Sequence, residues 1–77
     1  MTVEQLAQML KAAPFRPFRI HMADGQSLTV KHRDFVARSP SGRTAIVYKA
    51  DDTFEVVDLL LMASLEVVNG HSRQRRR

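Results

Sequence analysis

Apolar residues near the start of the chain recur at the spacing of one helix face. These residues are Val3, Leu6, Met9 and Leu10. The spacing predicts a helix from about Val3 to Ala12, with polar side chains on its other side. The Thr-x-x-Gln pattern at residues 2–5 has the form of a capping box, which satisfies free backbone donors at a helix start. Pro14 disfavours helical geometry at Ala13, so we expect the helix to end there.

After residue 17 the apolar period changes to alternation, which is the period of half-buried strands. The alternation predicts strands over residues 18–22, 27–31, 35–38, 44–49 and 53–58. The fourth of these strands is apolar on both faces, so we expect it to be central in a sheet. In the fifth strand, Phe54 and Val56 point one way and Glu55 the other.

An Asp-Gly dipeptide at residues 24–25 indicates a hairpin between the first two strands, and the hydrophobic pattern selects its loop. A two-residue loop would place Ile20 opposite Thr29, which mixes apolar and polar side chains on each face. A three-residue loop over residues 23–25, with its glycine left-handed, instead places Ile20 opposite Leu28. We therefore predict the three-residue loop.

The stretch VDLLLMASLEVVNG, residues 57–70, fits two structures. Its leucines and methionine favour a helix, which Asp58 could cap and Gly70 could terminate. The other structure is a helical turn near residues 59–61, followed by a strand with Leu65 and Val67 facing inward. The residues alone leave both structures open.

A chain of 77 residues is long enough for one domain, near the size at which a single core supplies only about 3–5 kcal/mol. The composition, 44% hydrophobic and 26% charged, is that of a globular protein. We predict one α+β domain over residues 1–70, in which the N-terminal helix precedes a five-stranded antiparallel meander forming a small barrel or half-barrel. Residues 71–77, HSRQRRR, are predicted to be a disordered basic tail.

The formal net charge of +4 lies in that tail, because residues 1–70 are neutral. Within them, residues 14–43 carry six basic and two acidic side chains, whereas residues 44–70 carry one basic and five acidic. Either neighbouring strands neutralise each other within one molecule, or the two surfaces meet between subunits. Candidate contacts for a partner or nucleic acid are Arg16, Arg19, Lys31, Arg33, Arg38, Arg43, Arg73, Arg75, Arg76 and Arg77.

No group of side chains has the spacing of a catalytic, cofactor-binding or metal site. The lack of cysteine removes thiolate ligands and thiol nucleophiles, and it fits a reducing compartment. His21, His32 and Asp34 come nearest to a metal or acid–base cluster, but the predicted register puts the two histidines on different faces. Ser39 and Ser41 have no paired histidine to activate them. We predict that the protein is not an enzyme and has no cofactor.

The tripeptide Pro-Phe-Arg occurs twice in succession at residues 14–19. Each proline fixes its own φ and favours an extended conformation in the residue before it. At three residues per turn, Phe15 and Phe18 lie on one side of the segment and the two arginines on another. The repeat matches the PxxPxR pattern of polyproline ligands, but we interpret it as a connector whose phenylalanines both reach the core.

The segment PFRPFRIHMADGQSLTVKHRDFVARSPSGRTAIVY, followed by VVDLLLMASLEV, resembles a group of small bacterial proteins of the planctomycete type. That resemblance implies a fold without an activity. The layout of a helix, a strand ending in Asp-Gly, further strands and a short last strand is also similar to the Sm-like barrel, whose bacterial member is the host-factor RNA chaperone. This second resemblance implies an Sm/SH3-like fold and a strand at residues 62–68. Residues 58–60, Asp-Leu-Leu, stand about where the chaperone has its Lys-His signature.

These observations predict a non-enzymatic binding or assembly module that acts by protein–protein contact or by forming a homo-oligomer. The N-terminus lacks the features of a signal peptide, and no segment has the length of a membrane span, so we expect a cytoplasmic protein without membrane contact. The alternative is an Sm-like RNA-binding protein that uses the basic residues 14–43 and the arginine tail. Against it, we expect all five aromatic residues to be buried, which leaves no platform for base stacking. They are Phe15, Phe18, Phe35, Tyr48 and Phe54.

Overall fold

A computed structural model describes residues 3–68 of the chain, which form an α+β fold of one helix and six strands. Two 3-10 turns, at Arg33–Phe35 and Leu59–Leu61, precede the third and sixth strands. In chain order the elements are α1 (Val3–Lys11), β1 (Phe18–Met22), β2 (Ser27–Val30), β3 (Val36–Arg38), β4 (Thr44–Tyr48), β5 (Phe54–Asp58) and β6 (Met62–Val67). The predicted helix is confirmed, whereas Thr2 of its capping box and the basic tail lie outside the described residues.

The strands form two antiparallel sheets of three strands each. Sheet 1 has the order β2-β1-β6 and sheet 2 the order β3-β4-β5, so β4 is central as predicted. The predicted five-stranded meander is therefore correct only in its antiparallel pairing. The 3-10 turn at Arg33–Phe35 separates β2 from β3, and β6 returns to the other side of β1. Residues 3–68 do not close into a barrel.

The predicted register of the first hairpin is confirmed. Ile20 lies opposite Leu28, and the backbone amide of Met22 donates to the carbonyl of Gln26 at 2.8 Å, which leaves three residues in the loop. Gly25 has a φ of +92°, a conformation that a side chain disfavours. The hydrophobic pattern therefore fixes which face of the hairpin is buried.

One core joins the helix to the inner faces of both sheets. Leu6 and Leu10 of α1 are buried on it, which confirms the predicted helix face. Sheet 1 contributes Phe18, Ile20, Met22, Leu28 and Val30, and sheet 2 contributes Ala45, Val47 and Val57. Each sheet places only one face on this core, so the side chains of its other face lie outside the core.

The connector at residues 14–19 reaches the core as expected, but only one of its two phenylalanines is fully buried. Phe18 is fully buried and Phe15 is half-buried, with their ring centroids 6.0 Å apart. The guanidinium of Arg33 lies 5.5 Å from the centroid of the Phe15 ring and donates to the carbonyl of Ala12 at 2.8 Å. The end of α1 is thereby joined to the 3-10 turn before β3.

The segment after Asp58 forms a 3-10 turn and then a strand. The Asp58 carboxylate accepts a 2.9 Å hydrogen bond from the amide of Leu60, while Leu59 is buried. β6 then pairs with β1, with Leu65 opposite Ile20. The ladder to β1 is a tertiary interaction, which outweighs the helix propensity of the leucines. Val67 was expected to face inward, yet 49% of it is exposed at this sheet edge.

Candidate functional site

Four apolar side chains lie together on the outer face of sheet 2. Ile46 is opposite Val56 and Tyr48 is opposite Phe54, so all four project from the same side of the β4–β5 hairpin. Tyr48 is 40% exposed, Phe54 58% and Val56 59%. We call Ile46, Tyr48, Phe54 and Val56 the apolar face.

The predicted burial of Tyr48 and Phe54 is wrong. Their strands alternate as expected, but the buried side chains of the hairpin are Ala45, Val47 and Val57. No element among residues 3–68 covers the opposite side of sheet 2. A pattern that is apolar on both faces therefore marks a sheet with one face in the core and the other exposed.

The strand that carries half of the apolar face is also an open edge. Within residues 3–68, β5 pairs with β4 alone. The amide of Lys49 donates to the carbonyl of Thr53, and the amide of Leu59 donates to the carbonyl of Arg43. By the alternation of an antiparallel ladder, Phe54, Val56 and Asp58 direct their backbone N–H and C=O groups away from β4. Such an edge can accept another strand.

Acidic side chains surround this edge. Asp51 and Asp52 lie in the turn before β5, and Glu55 and Asp58 lie within the strand. Hydrogen bonds from Thr53 lower the pKa of Asp51. A hydrogen bond from Gln26, together with Lys49 at 3.1 Å, lowers the pKa of Glu55. The lowered pKa values favour the charged carboxylates of Asp51 and Glu55. We call Asp51, Asp52, Glu55 and Asp58 the acidic rim.

The predicted basic contacts do not form one surface. Arg19 is on the outer face of sheet 1, where it pairs with Glu66 at 3.3 Å. Arg16 lies beside Met9 and Val67, and Lys31 lies at a cleft between β2 and β4. Arg43 precedes β4. Arg73, Arg75, Arg76 and Arg77 lie outside the described residues.

Arg33 and Arg38 do come together, and Lys11 joins them. The three side chains line one shallow cavity of about 590 Å³, bordered also by Ser39 and Ser41. None of its lining residues is acidic, and in residues 3–68 none of the three cations forms an ion pair. We call Lys11, Arg33, Arg38, Ser39 and Ser41 the basic groove. Lys11 was missed because it is distant in sequence from the other two cations.

Glu66, from the acidic residues 44–70, pairs with a side chain of the basic residues 14–43. His21 Nε2 lies 2.8 Å and Arg19 Nη1 3.3 Å from its Oε1 atom. The hydrogen bond with His21, with Arg19 beside it, lowers the pKa of Glu66. Arg19 is the one member of the six basic residues in 14–43 that pairs with an acid within the described residues.

The two histidines belong to different parts of the fold: His21 is in β1, and His32 lies between β2 and the 3-10 turn at Arg33–Phe35. His21 belongs to the polar face of sheet 1, whereas His32 packs its ring at 5.4 Å against that of Phe35. Within residues 3–68, no three side chains of His, Cys, Asp or Glu are grouped to hold a metal ion. Ser39 and Ser41 hydrogen-bond to each other at 3.1 Å.

No family model matches the chain, and neither a curated protein nor a solved structure is significantly similar to it. The resemblance to planctomycete-type proteins and to the Sm-like layout stays a prediction. In the part of the chain that the structure describes, no helix has the length and hydropathy needed to cross a membrane.

Proposed function

We propose that this protein is a non-enzymatic assembly module that associates with further copies of itself through the apolar face and the open edge of β5. The observation that carries this proposal is the combination of exposed Tyr48, Phe54 and Val56 side chains with free backbone groups on β5. Covering these side chains would remove apolar surface from water, and pairing the edge would satisfy its hydrogen bonds.

Charge supports a second copy as the occupant. The acidic rim borders the apolar face, while five of the six basic side chains in residues 14–43 have no acidic partner among residues 3–68. A partner of the same sequence therefore brings the complementary charge. Two acidic rims would repel each other, which favours a head-to-tail contact between unlike surfaces over a symmetric one.

The test is the mass of the full chain by light scattering over a concentration series at low salt. We expect the mass to exceed that of the monomer and to fall as salt is added, because the contact includes charge pairs. Val56→Lys places a cation in the centre of the apolar face and should give the monomer mass. Leu60→Lys is the matched control, because Leu60 is 65% exposed but belongs to the 3-10 turn after β5. A monomeric wild-type chain at high concentration and low salt would refute the proposal.

A second candidate function is Sm-like RNA binding. The grouping of Arg33 and Arg38 with Lys11 favours it, since phosphates attract such a group. The acidic rim beside the exposed aromatic pair disfavours it, because bases that stacked there would bring their phosphates close to carboxylates.

The RNA-binding function predicts salt-dependent affinity for an RNA oligonucleotide that persists when the arginines of the tail are replaced by glutamine in the full chain. Loss of all affinity in that variant would leave only generic attraction to the tail. The replaced residues are Arg73, Arg75, Arg76 and Arg77.

A further inference from the structure

The basic groove combines side chains from separate elements of the fold. Lys11 is the last residue of α1, Arg33 belongs to the 3-10 turn and Arg38 ends β3. The turn between β3 and β4 supplies two serine hydroxyls. Three cations held near one another without a carboxylate repel each other, and an anion between them would relieve that repulsion.

Arg33 is held in place before any ligand arrives. Its Nη2 atom donates to the carbonyl of Ala12, and its guanidinium lies over the Phe15 ring. A guanidinium has five N–H donors, and the bond to Ala12 uses only one of them. The remaining donors stay available on a group that has already lost much of its rotational freedom, which lowers the entropic cost of binding.

The two hydroxyls of the groove have a donor to spare. Ser39 Oγ accepts from the amide of Thr44 at 3.2 Å, and Ser41 Oγ accepts from the amide of Arg43 at 3.3 Å. The two oxygens also hydrogen-bond to each other, which uses the proton of one hydroxyl. The proton of the other hydroxyl has no partner within this pair. The serine pair therefore presents an O–H donor beside the cations.

We propose that the basic groove binds a phosphate group. Phosphate oxygens accept from arginine, lysine and hydroxyl donors together, and a doubly charged anion gains more from three cations than a carboxylate does. The groove volume of about 590 Å³ is within the range of roughly 300–1,000 Å³ for small-molecule sites. None of the residues that line the groove belongs to the apolar face.

The experiment is a titration of the full chain with inorganic phosphate and with pyrophosphate, at constant ionic strength, followed by amide NMR shifts. We expect the largest shifts at Ser41 and Gly42 of the groove turn. Arg38→Gln should weaken binding about tenfold, as expected for the loss of one charge-assisted hydrogen bond. Arg16→Gln is the charge-matched control, because Arg16 is exposed and lines a different cavity. It should change the affinity by less than about twofold.

A mononucleotide and an RNA oligonucleotide distinguish the sources of the phosphate. Binding of the mononucleotide that competes with inorganic phosphate supports a small-molecule site. Binding of RNA without any binding of phosphate, pyrophosphate or mononucleotide would overturn the proposal and favour an extended surface. Equal weakening by Arg38→Gln and Arg16→Gln would overturn it as well, since only the net charge would then matter. Lys11→Gln provides a second variant at an exposed position.

Discussion

Tyr48 and Phe54 face each other across the β4–β5 hairpin, with ring centroids 5.8 Å apart and ring planes tilted by 58°. Both side chains remain exposed although they contact each other. The pair stabilises the hairpin and at the same time leaves aromatic surface exposed.

Phe15 and Phe18 form a second aromatic pair, whose ring planes are tilted by 56°. The two aromatic pairs thus have similar tilted geometries but different surroundings. Phe18 is fully buried in the core, whereas Phe54 is 58% exposed. The same type of contact therefore lies in the core in one case and at the exposed surface in the other.

The first prediction uses the fluorescence of Tyr48, which is the single tyrosine of a chain without tryptophan. Intrinsic fluorescence therefore reports on the apolar face alone. We expect acrylamide quenching of Tyr48 to decrease as the protein concentration rises at low salt, because a second copy covers the ring. Val56→Lys should remove this concentration dependence and Leu60→Lys should retain it. Quenching that is independent of concentration in the wild-type chain would contradict self-association through this face.

The second prediction concerns the two phenylalanines of the connector. Phe18→Ala removes a fully buried ring and should cost about 3–5 kcal/mol of unfolding free energy. A domain of this size has little more than that, so we expect the variant to be largely unfolded by circular dichroism. Phe15→Ala should cost less, because Phe15 is half-buried. Equal costs of Phe15→Leu and Phe18→Leu, both measured by urea denaturation, would contradict this order.

The third prediction concerns acid stability. The pKa of Glu66 is below its usual value of 4.5 in the folded chain, chiefly because of the hydrogen bond with His21. The folded state therefore favours the carboxylate, and its contribution to stability is present above about pH 4.5 and is lost as the pH falls through the lowered pKa. Glu66→Gln should therefore reduce the loss of unfolding free energy between pH 6 and pH 3, roughly the range over which glutamates titrate. Urea denaturation at each pH measures this loss.

Glu4→Gln is the control for that measurement, because Glu4 is exposed on α1 and forms no ion pair within residues 3–68. We expect its urea denaturation midpoints to follow those of the wild-type chain at each pH. If the denaturation midpoints of Glu66→Gln and Glu4→Gln fell equally as the pH was lowered, the hydrogen bond between Glu66 and His21 would contribute nothing measurable to stability.

Much of the fold could be predicted from local patterns. The helix face, the register of the first hairpin and the central position of β4 follow from apolar spacing, because a shift of one residue would move Ile20 and Leu28 from the core to solvent. The division into two sheets could not be predicted in this way. It depends on the pairing of β6 with β1, which is a long-range contact, and on the turn at Arg33–Phe35, which separates β2 from β3.

The candidate surfaces were predictable only in part. The charge segregation was visible in the sequence, but the grouping of Arg33 and Arg38 with Lys11 depends on the packing of α1 beside the turns of sheet 2. Burial of Phe54 was predicted wrongly, because apolar alternation shows which residues share a face and not which face meets the core. The surplus of apolar residues in the β4–β5 hairpin was the signal for an exposed face.

The last prediction tests the loop of the first hairpin. Gly25 has a φ of +92°, and a Cβ atom added there would meet no atom within 4 Å. Gly25→Ala should therefore destabilise the fold by backbone strain alone, by about 1–2 kcal/mol in urea denaturation. Gly25→Asn should cost less, because asparagine tolerates positive φ more readily. Asp24→Ala removes the 2.9 Å hydrogen bond from the amide of Gln26 and should cost about 0.5–1.5 kcal/mol. If Gly25→Ala were as stable as the wild-type chain, Gly25 would not have a positive φ and the three-residue loop would be wrong.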